Sequence, residues 1–225
     1  AESTVMTNII REIGQLFPYR LAFHTKIQSA DFSFDFEPAI VGNGFDMDNY
    51  FFNKNENGPL GWAGRIAPEK GLEDAVKIAS KLGEKLLVWG HFEDNDYALR
   101  IEESFPKGTI EWKGFLPTIE FQEQLGLCRA FINTPKWNEA YGNVVVEAMA
   151  CGVPVIAYNL GGPGELIKPG YNGFLVEPND INGMIEAVKS IYKINRNDCR
   201  IWVKENASHQ VFAKRVEDWI FSGIK

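Results

Sequence analysis

Apolar runs of strand length alternate with stretches of helix length from residue 39 onward, and this alternation constrains the fold more than any other feature. Strands are predicted at residues 39–41, 60–63, 85–89, 110–112, 130–133, 155–158 and 174–176. Helices are predicted at residues 4–15, 72–82, 97–104, 119–127, 143–150, 181–192, 198–206 and 210–221. Alternating elements joined by short connections predict an α/β fold, with a parallel sheet covered by helices on both faces. Ligands of such sheets bind beyond the carboxyl ends of the strands, so chemistry is expected in the loops that follow them.

The composition is that of a globular protein with one sizeable core. The chain has 225 residues, of which 45% are hydrophobic and 24% are charged. Its formal net charge of −7 argues against a nucleic-acid partner, which would need a clustered basic face. No apolar run reaches the roughly 20 residues that a membrane span requires, and no signal peptide is expected.

Metal and disulfide sites are not expected. The cysteines are widely separated and form no C-x-x-C pair, which favours a reducing, cytoplasmic compartment. Two Asp-x-Asp triplets, at residues 46–48 and 94–96, have a form that can hold a divalent metal. The second precedes a predicted helix, where aspartate commonly caps the first turn, and capping is the favoured interpretation.

The segment at residues 139–152, EAYGNVVVEAMACG, is the most informative for function. The helix predicted within it is apolar except at Glu147, and a buried carboxylate needs a polar partner. Glu147 lies one turn after Asn143 on the same face, and the free amides at Gly142 and Asn143 favour anions. A ligand with phosphates at the helix start and hydroxyls along its flank would satisfy these groups. Alternatively, Glu147 pairs with a structural lysine or a backbone amide, and Glu139 is a solvated loop residue.

Two cations follow the strand predicted at residues 60–63, within GWAGRIAPEKG at residues 61–71. The forked guanidinium of Arg65 can bind two phosphate oxygens, and Lys70 can act as a point charge. Both are expected at the carboxyl edge of the sheet. The alternative is that they are solvated or pair with Glu69 or Glu73.

A glycine-rich turn, GGPGE at residues 161–165, follows another predicted strand. Glycines at such a turn are expected to let a ligand approach the backbone closely. The spacing is not that of the G-x-G-x-x-G fingerprint, and the chain has no Walker sequence. Dinucleotide-dehydrogenase and P-loop functions are therefore disfavoured.

Together these segments resemble the C-terminal half of retaining glycosyltransferases of GT-B type, in family 4. The motifs of that family follow in order: N-G-hydrophobic-D at 43–46, G-R-x4-K-G at 64–71, E-x7-E at 139–147, G-G-x-x-E at 161–165 and N-G-hydrophobic at 172–176. Several linked motifs in order are far more specific than any one alone. The resemblance implies a Rossmann-like, doubly wound parallel sheet that forms the C-terminal half of a GT-B fold.

The resemblance also implies a role for each matching residue. Arg65 and Lys70 would bind the diphosphate of a nucleotide-sugar donor and act in catalysis with Glu139, which would contact the donor sugar. Glu147 would contact the ribose hydroxyls. The remaining donor-binding residues would be Gly64, Phe115, Leu116, Tyr141, Gly142, Asn143 and Val144. Neither a metal nor another cofactor is expected.

The length departs from the family pattern, because a GT-B enzyme has two Rossmann-like domains. Residues 1–36 are predicted to be the tail of a missing N-terminal acceptor domain with its linker, so His24 is not expected to be catalytic. Residues 37–205 would form the donor-binding domain, and residues 206–225 a helix that packs on the missing domain. The chain is thus expected to be truncated or processed and inactive alone. Any membrane contact, peripheral to the inner membrane, would come through the missing half.

The function predicted from the sequence is the transfer of a sugar from a nucleoside-diphosphate sugar, most simply a UDP-sugar, with retention of anomeric configuration. The donor nucleotide sugar and an acceptor-binding domain are the expected partners. The alternative is a non-catalytic Rossmann-like module that binds a nucleotide or a protein.

Overall fold

The computed structural model describes residues 4–54 and 56–222. The predicted N-terminal and C-terminal segments include residues 1–3 and 223–225, which lie outside the described residues. The strands are β1 Ala22–Phe23, β2 Ala39–Ile40, β3 Leu60–Ala63, β4 Leu86–Trp89, β5 Ile110–Gly114, β6 Ala130–Asn133, β7 Val155–Tyr158 and β8 Gly173–Val176. The α-helices are α1 Thr4–Leu16, α2 Lys26–Ala30, α3 Leu72–Leu82, α4 Asn95–Ser104, α5 Thr118–Gly126, α6 Asn143–Ala150, α7 Gly162–Leu166, α8 Ile181–Lys189, α9 Arg196–Asn206 and α10 His209–Ser222.

Six strands form one parallel sheet in the order β5-β4-β3-β6-β7-β8. Every residue of β6 and β7 is buried, whereas the edge strands β5 and β8 are mostly half-buried. Nearly continuous apolar strands are expected where helices cover both faces of a sheet. Around this sheet α3 packs against α8, and α6 packs against both α5 and α9. The predicted α/β fold with a doubly wound parallel sheet is confirmed.

The strand order reverses between β3 and β6. The chain builds β3, β4 and β5 outward to one edge, then returns to place β6 beside β3 and continues outward to β8. The loops after β3 and β6 therefore diverge and leave a crevice between them, which is where parallel α/β sheets bind ligands.

The strand predicted at residues 39–41 is present as β2, at residues 39 and 40, but it does not join this sheet. It pairs with β1 in a separate parallel ribbon. Neither β1 nor α2 was predicted, because the segment around them is rich in polar and aromatic residues rather than in a regular apolar repeat. An apolar run identifies a strand but carries no information about which strand it pairs with.

Asp94 caps α4, as predicted for the second Asp-x-Asp triplet: its carboxylate accepts a 2.8 Å hydrogen bond from the backbone N–H of Tyr97. Asp46 of the first triplet also acts as a cap, which was not predicted. Its carboxylate accepts a hydrogen bond from the N–H of Asp48 within the 3₁₀ turn Met47–Asn49. Within residues 4–54 and 56–222, no group of three or more His, Cys, Asp or Glu side chains could hold a metal ion.

The three cysteines, Cys128, Cys151 and Cys199, are buried and unbridged. Burial raises the pKa of each thiol to about 12, so all three stay protonated at neutral pH. None of the helices in the described part of the chain is long and apolar enough to cross a bilayer.

Glu165 fastens the N-terminal segment to the main domain. Its carboxylate accepts hydrogen bonds from the free backbone amides of Lys26 (3.1 Å) and Ile27 (2.5 Å) in the first turn of α2. Thr25, the N-cap of that helix, donates from Oγ1 to the carbonyl of Ala140 at 2.8 Å. An acidic group beside unpaired amides at a helix start satisfies both the donors and the helix dipole.

Replacing Glu165 with alanine should lower the free energy of unfolding by about 1 kcal/mol, the usual cost of losing a helix cap. Urea denaturation would measure the loss, and hydrogen exchange at the amides of Lys26 and Ile27 should accelerate. The control is Glu177→Ala, because Glu177 is exposed and its side chain makes no hydrogen bond among the described residues. Equal stability of the two variants would contradict this role.

Candidate functional site

A cavity of about 570 Å³ opens at the carboxyl end of the sheet, above the crevice between β3 and β6. This volume is within the range of about 300–1,000 Å³ that is usual for small-molecule sites. Every predicted site residue lines it: Gly64, Arg65, Lys70, Phe115, Leu116, Glu139, Tyr141, Gly142, Asn143, Val144 and Glu147. The loops after β3, β5 and β6 and the start of α6 thus meet at one hollow.

Lys70 and Glu139 form a close ion pair in the wall of the cavity. Their side chains are only 19% and 10% exposed. Lys70 ends the 3₁₀ turn Pro68–Lys70, and the next residue, Gly71, accepts a 2.9 Å hydrogen bond from Oγ1 of Thr134 just after β6. The loops that follow two neighbouring strands are therefore tied together at the pair, and the Lys70 ammonium is held in a partly desolvated position.

Arg65 reaches the cavity from a more exposed position. Its guanidinium pairs with Glu69 at 2.9 Å and with Glu93 at 2.5 Å, and its side chain is 50% exposed. The pairing with Glu69 agrees with the alternative that Arg65 forms an ion pair with a neighbouring glutamate. Glu73, the other glutamate considered, instead accepts a hydrogen bond from the hydroxyl of Tyr97. Exposed ion pairs contribute about 0–1 kcal/mol, so an incoming dianion could displace these carboxylates.

The start of α6 presents free donors to the cavity. Gly142 precedes the helix in a left-handed conformation with φ +99°. The backbone amides of Asn143 and Val144 find no acceptor in the described part of the chain. The side chain of Asn143 is fixed by a 2.8 Å bond from Nδ2 of Asn43, in the loop after β2. Unpaired amides and the positive end of the helix dipole make this terminus suited to an anion.

Glu147 is half-buried one turn into α6, and its carboxylate makes no hydrogen bond or ion pair with any described residue. The alternative, in which Glu147 pairs with a lysine or a backbone amide, is not what the structure shows. Burial raises the pKa of Glu147 to about 7, because the charged form is poorly solvated. A carboxyl group that lines a cavity without a protein partner is free to bind hydroxyl groups of a ligand.

This raised pKa should make stability depend on pH. The folded protein favours the neutral carboxyl, so Glu147 stabilises it fully below about pH 4.5, and this contribution is lost as the pH rises to about 7. Measured by urea denaturation, the stability of the unaltered chain relative to Glu147→Gln should therefore fall across this interval and level off above it. A difference that stays constant with pH would contradict the shift. Exposed Glu177, changed to glutamine, serves as the control.

The glycine-rich turn after β7 packs against the segment that carries Glu139. Gly161 and Gly162 do not line the cavity. A Cβ at Gly161 would lie 2.5 Å from the backbone nitrogen of Glu139, and one at Gly162 would lie 2.2 Å from the carbonyl oxygen of Tyr141. The turn supports the segment that carries Glu139 from behind, which explains its glycines through packing.

Several further residues line the cavity without having been assigned a role from the sequence. His24 belongs to the wall, where its Nδ1 lies 2.8 Å from the carbonyl of Gly42. The ring of His91 stacks on Phe115 at 4.1 Å between centroids. Among the others are Trp62, Trp89, Asn133 and Trp137. His91 and Asn133 stand at the carboxyl ends of predicted strands, and that position was the signal available in the sequence.

The fold and the position of the cavity define the class of protein. The chain superposes on Anabaena HepE, solved in complex with UDP and glucose, with a TM-score of 0.86 at 17% identity, over 98% of this chain and 68% of that one. It superposes on sucrose-phosphate synthase from Thermosynechococcus elongatus with a TM-score of 0.83 at 18% identity, over 98% and 62% of the two chains. The fold is the Rossmann-like C-terminal domain of GT-B proteins.

The family follows from the sequence comparison. The model of the family "Glycosyl transferases group 1" matches residues 52–210, and the chain belongs to this family. It is 29% identical over 178 residues to an uncharacterized glycosyltransferase of Methanocaldococcus jannaschii, covering 78% of this chain and 48% of that protein. It is 30% identical over 166 residues to glycogen synthase of Mycobacterium tuberculosis, covering 69% and 40%. The chain spans less than half the length of these two relatives.

Proposed function

We propose that this chain is the donor-binding part of a retaining hexosyltransferase of family 4, which takes its sugar from a UDP-sugar. The observation that carries the proposal is the shared cavity, in which a partly desolvated Lys70, the free N-terminus of α6 and two carboxylates face one space. Membership of a glycosyltransferase family supports the reaction class. The structurally similar HepE was solved with UDP and glucose, which supports a uridine donor.

The geometry suggests how the reaction would be assisted. Negative charge grows on the diphosphate as the bond from the sugar to its leaving oxygen breaks. Lys70, Arg65 and the amides at the start of α6 would stabilise that charge more in the transition state than in the bound donor. Because these groups supply the positive charge, we expect no metal or other cofactor to be required.

The two carboxylates would bind the donor at different points. Glu139 is held beside Lys70 and would contact the sugar, while the unpaired Glu147 would accept hydrogen bonds from the ribose hydroxyls. Gly64 would allow close approach of the diphosphate, and Phe115 with Leu116 would face the base. The backbone of residues 141–144 would hold the sugar and the phosphates.

Residues outside the described chain would complete the enzyme. An acceptor-binding domain would bind the acceptor and supply part of the catalytic machinery. Residues 1–36 would be the tail of that domain with its linker, and the final helix would pack on it. We expect the chain alone to bind the donor without transferring its sugar, in the cytoplasm and with any membrane contact made through that domain.

Titration calorimetry with UDP and with UDP-glucose tests donor binding directly. We expect saturable binding of both, with a dissociation constant at or below the millimolar range. No heat at millimolar nucleotide would contradict the proposal. The comparisons do not favour the alternative of a non-catalytic module. That alternative would gain if Glu147→Ala and Lys70→Ala left the affinity for UDP unchanged.

A further inference from the structure

One carboxamide in the wall of the cavity has no hydrogen-bond partner among the described residues. Asn133 ends β6, is 6% exposed and lines the cavity. Its Oδ1 is sealed from solvent and accepts no hydrogen bond, and its Nδ2 donates none to any described residue. A buried carboxamide left unpaired destabilises a folded protein, so native structures retain few of them. Its presence at a ligand cavity therefore points to a ligand that completes its hydrogen bonds.

The position of Asn133 in the sheet indicates which part of a ligand it meets. β6 pairs with β3, and extending their register by two residues places Asn133 beside Ala63, the last residue of β3. This is the point at which the strand order reverses. Asn133 therefore lies at the base of the crevice, between the loop that carries Lys70 and the loop that carries Glu139.

Trp137 presents another unpaired polar atom in the wall of the cavity. Its indole Nε1 is buried without a hydrogen-bond partner among the described residues, and the Nζ of Lys70 lies 5.1 Å from the centre of its ring. Sugar hydroxyls donate and accept, and phosphate oxygens accept, so these groups of a donor match an amide and an indole N–H. A carboxamide can turn either its oxygen or its nitrogen toward such a ligand.

We infer that Asn133 is a binding residue that forms a hydrogen bond to the sugar-diphosphate part of the donor. The inference rests on the proposed function and adds to it a residue outside the family motifs found in the sequence. The inference implies that the Asn133 amide increases donor affinity and lowers the stability of the fold. Both effects can be measured.

The test uses Asn133→Leu, which keeps the number and branching of the side-chain heavy atoms but removes both polar atoms. Affinity for UDP-glucose, measured by calorimetry, should fall about tenfold, the usual effect of losing one hydrogen bond to a ligand. The melting temperature should stay the same or rise, because an unpaired buried amide has been removed. The side chain in Asn133→Ala is smaller than that of asparagine and cannot clash with its surroundings, and this variant should show the same loss of affinity.

Gln122→Met is the matched control. Gln122 is a fully buried carboxamide on α5 with both polar atoms unpaired, and it does not line the cavity. Its replacement should leave affinity unchanged and stability equal or higher.

The outcomes separate this inference from the proposed function. Unchanged affinity for UDP-glucose in both Asn133 variants overturns the inference while leaving donor binding intact. A fall in melting temperature of several degrees in Asn133→Leu also overturns it, since it would show that the amide is structural. Absence of binding by the unaltered chain overturns the proposed function, and the inference with it.

Discussion

Replacing Lys70 with alanine is expected to weaken binding of UDP-glucose by about 100-fold, a typical effect of truncating one member of a desolvated charge pair. Two effects act in the same direction. The substitution removes the cation that would meet the diphosphate, and it leaves the nearly buried carboxylate of Glu139 facing the same anion. Calorimetric titration measures the loss, and the melting temperature shows whether the fold is retained.

The control for this prediction is Lys77→Ala. Lys77 is an exposed lysine on α3 and lies outside the cavity, so its removal should change affinity less than twofold. Removing Glu139 as well as Lys70 should restore part of the affinity for UDP, which lacks the sugar that Glu139 would contact, because the repulsion between carboxylate and phosphate is then gone. If Lys70→Ala and Lys77→Ala bind UDP-glucose equally well, the ion pair is structural and the proposed role of Lys70 is wrong.

Replacing Gly71 with alanine is expected to lower the free energy of unfolding by about 3 kcal/mol, the combined cost of a strained backbone and an overpacked contact. Gly71 adopts a left-handed conformation with φ +65°, and a Cβ there would lie 1.9 Å from the carbonyl oxygen of Thr134. Because neither backbone can move without separating the loops after β3 and β6, Lys70 should also be displaced. We therefore expect a loss of donor affinity together with the loss of stability.

A control at Gly83 separates the cost of the left-handed backbone from the cost of the contact with Thr134. Gly83 ends α3 with nearly the same φ of +69°, but a Cβ there meets nothing within 4 Å. Gly83→Ala should therefore cost only the left-handed strain of about 1–2 kcal/mol, with no change in affinity. Urea denaturation of the two variants provides the comparison. Equal costs would mean that the contact between Gly71 and Thr134 does not hold the site together.

Much of the architecture was predictable because it depends on local patterns. Runs of three to five residues and intervening amphipathic stretches identified every strand of the main sheet. The helix with Glu147 as its one charged residue was placed correctly at Asn143–Ala150. The shared cavity was also predictable in outline, because the carboxyl ends of parallel strands meet at one edge of the sheet.

The partners of individual side chains were not predictable in the same way. Arg65 pairs with Glu93 across 28 positions of sequence, and Glu165 reaches back to Lys26 and Ile27 across nearly 140. Such contacts depend on where loops from different strands come together, and no repeat or motif records that arrangement.

The sequence by itself determined the parallel α/β fold and part of the lining of its cavity, since periodic burial and linked motifs are properties of short segments. The tertiary structure alone decided three other features. It set β2 apart from the main sheet, and it placed the glycine turn behind Glu139 rather than in the wall of the cavity. It also left the Asn133 side chain in that wall without a hydrogen-bond partner among the described residues. Each depends on distances between segments remote in sequence, because desolvation and hydrogen bonding are fixed only when those segments have packed together.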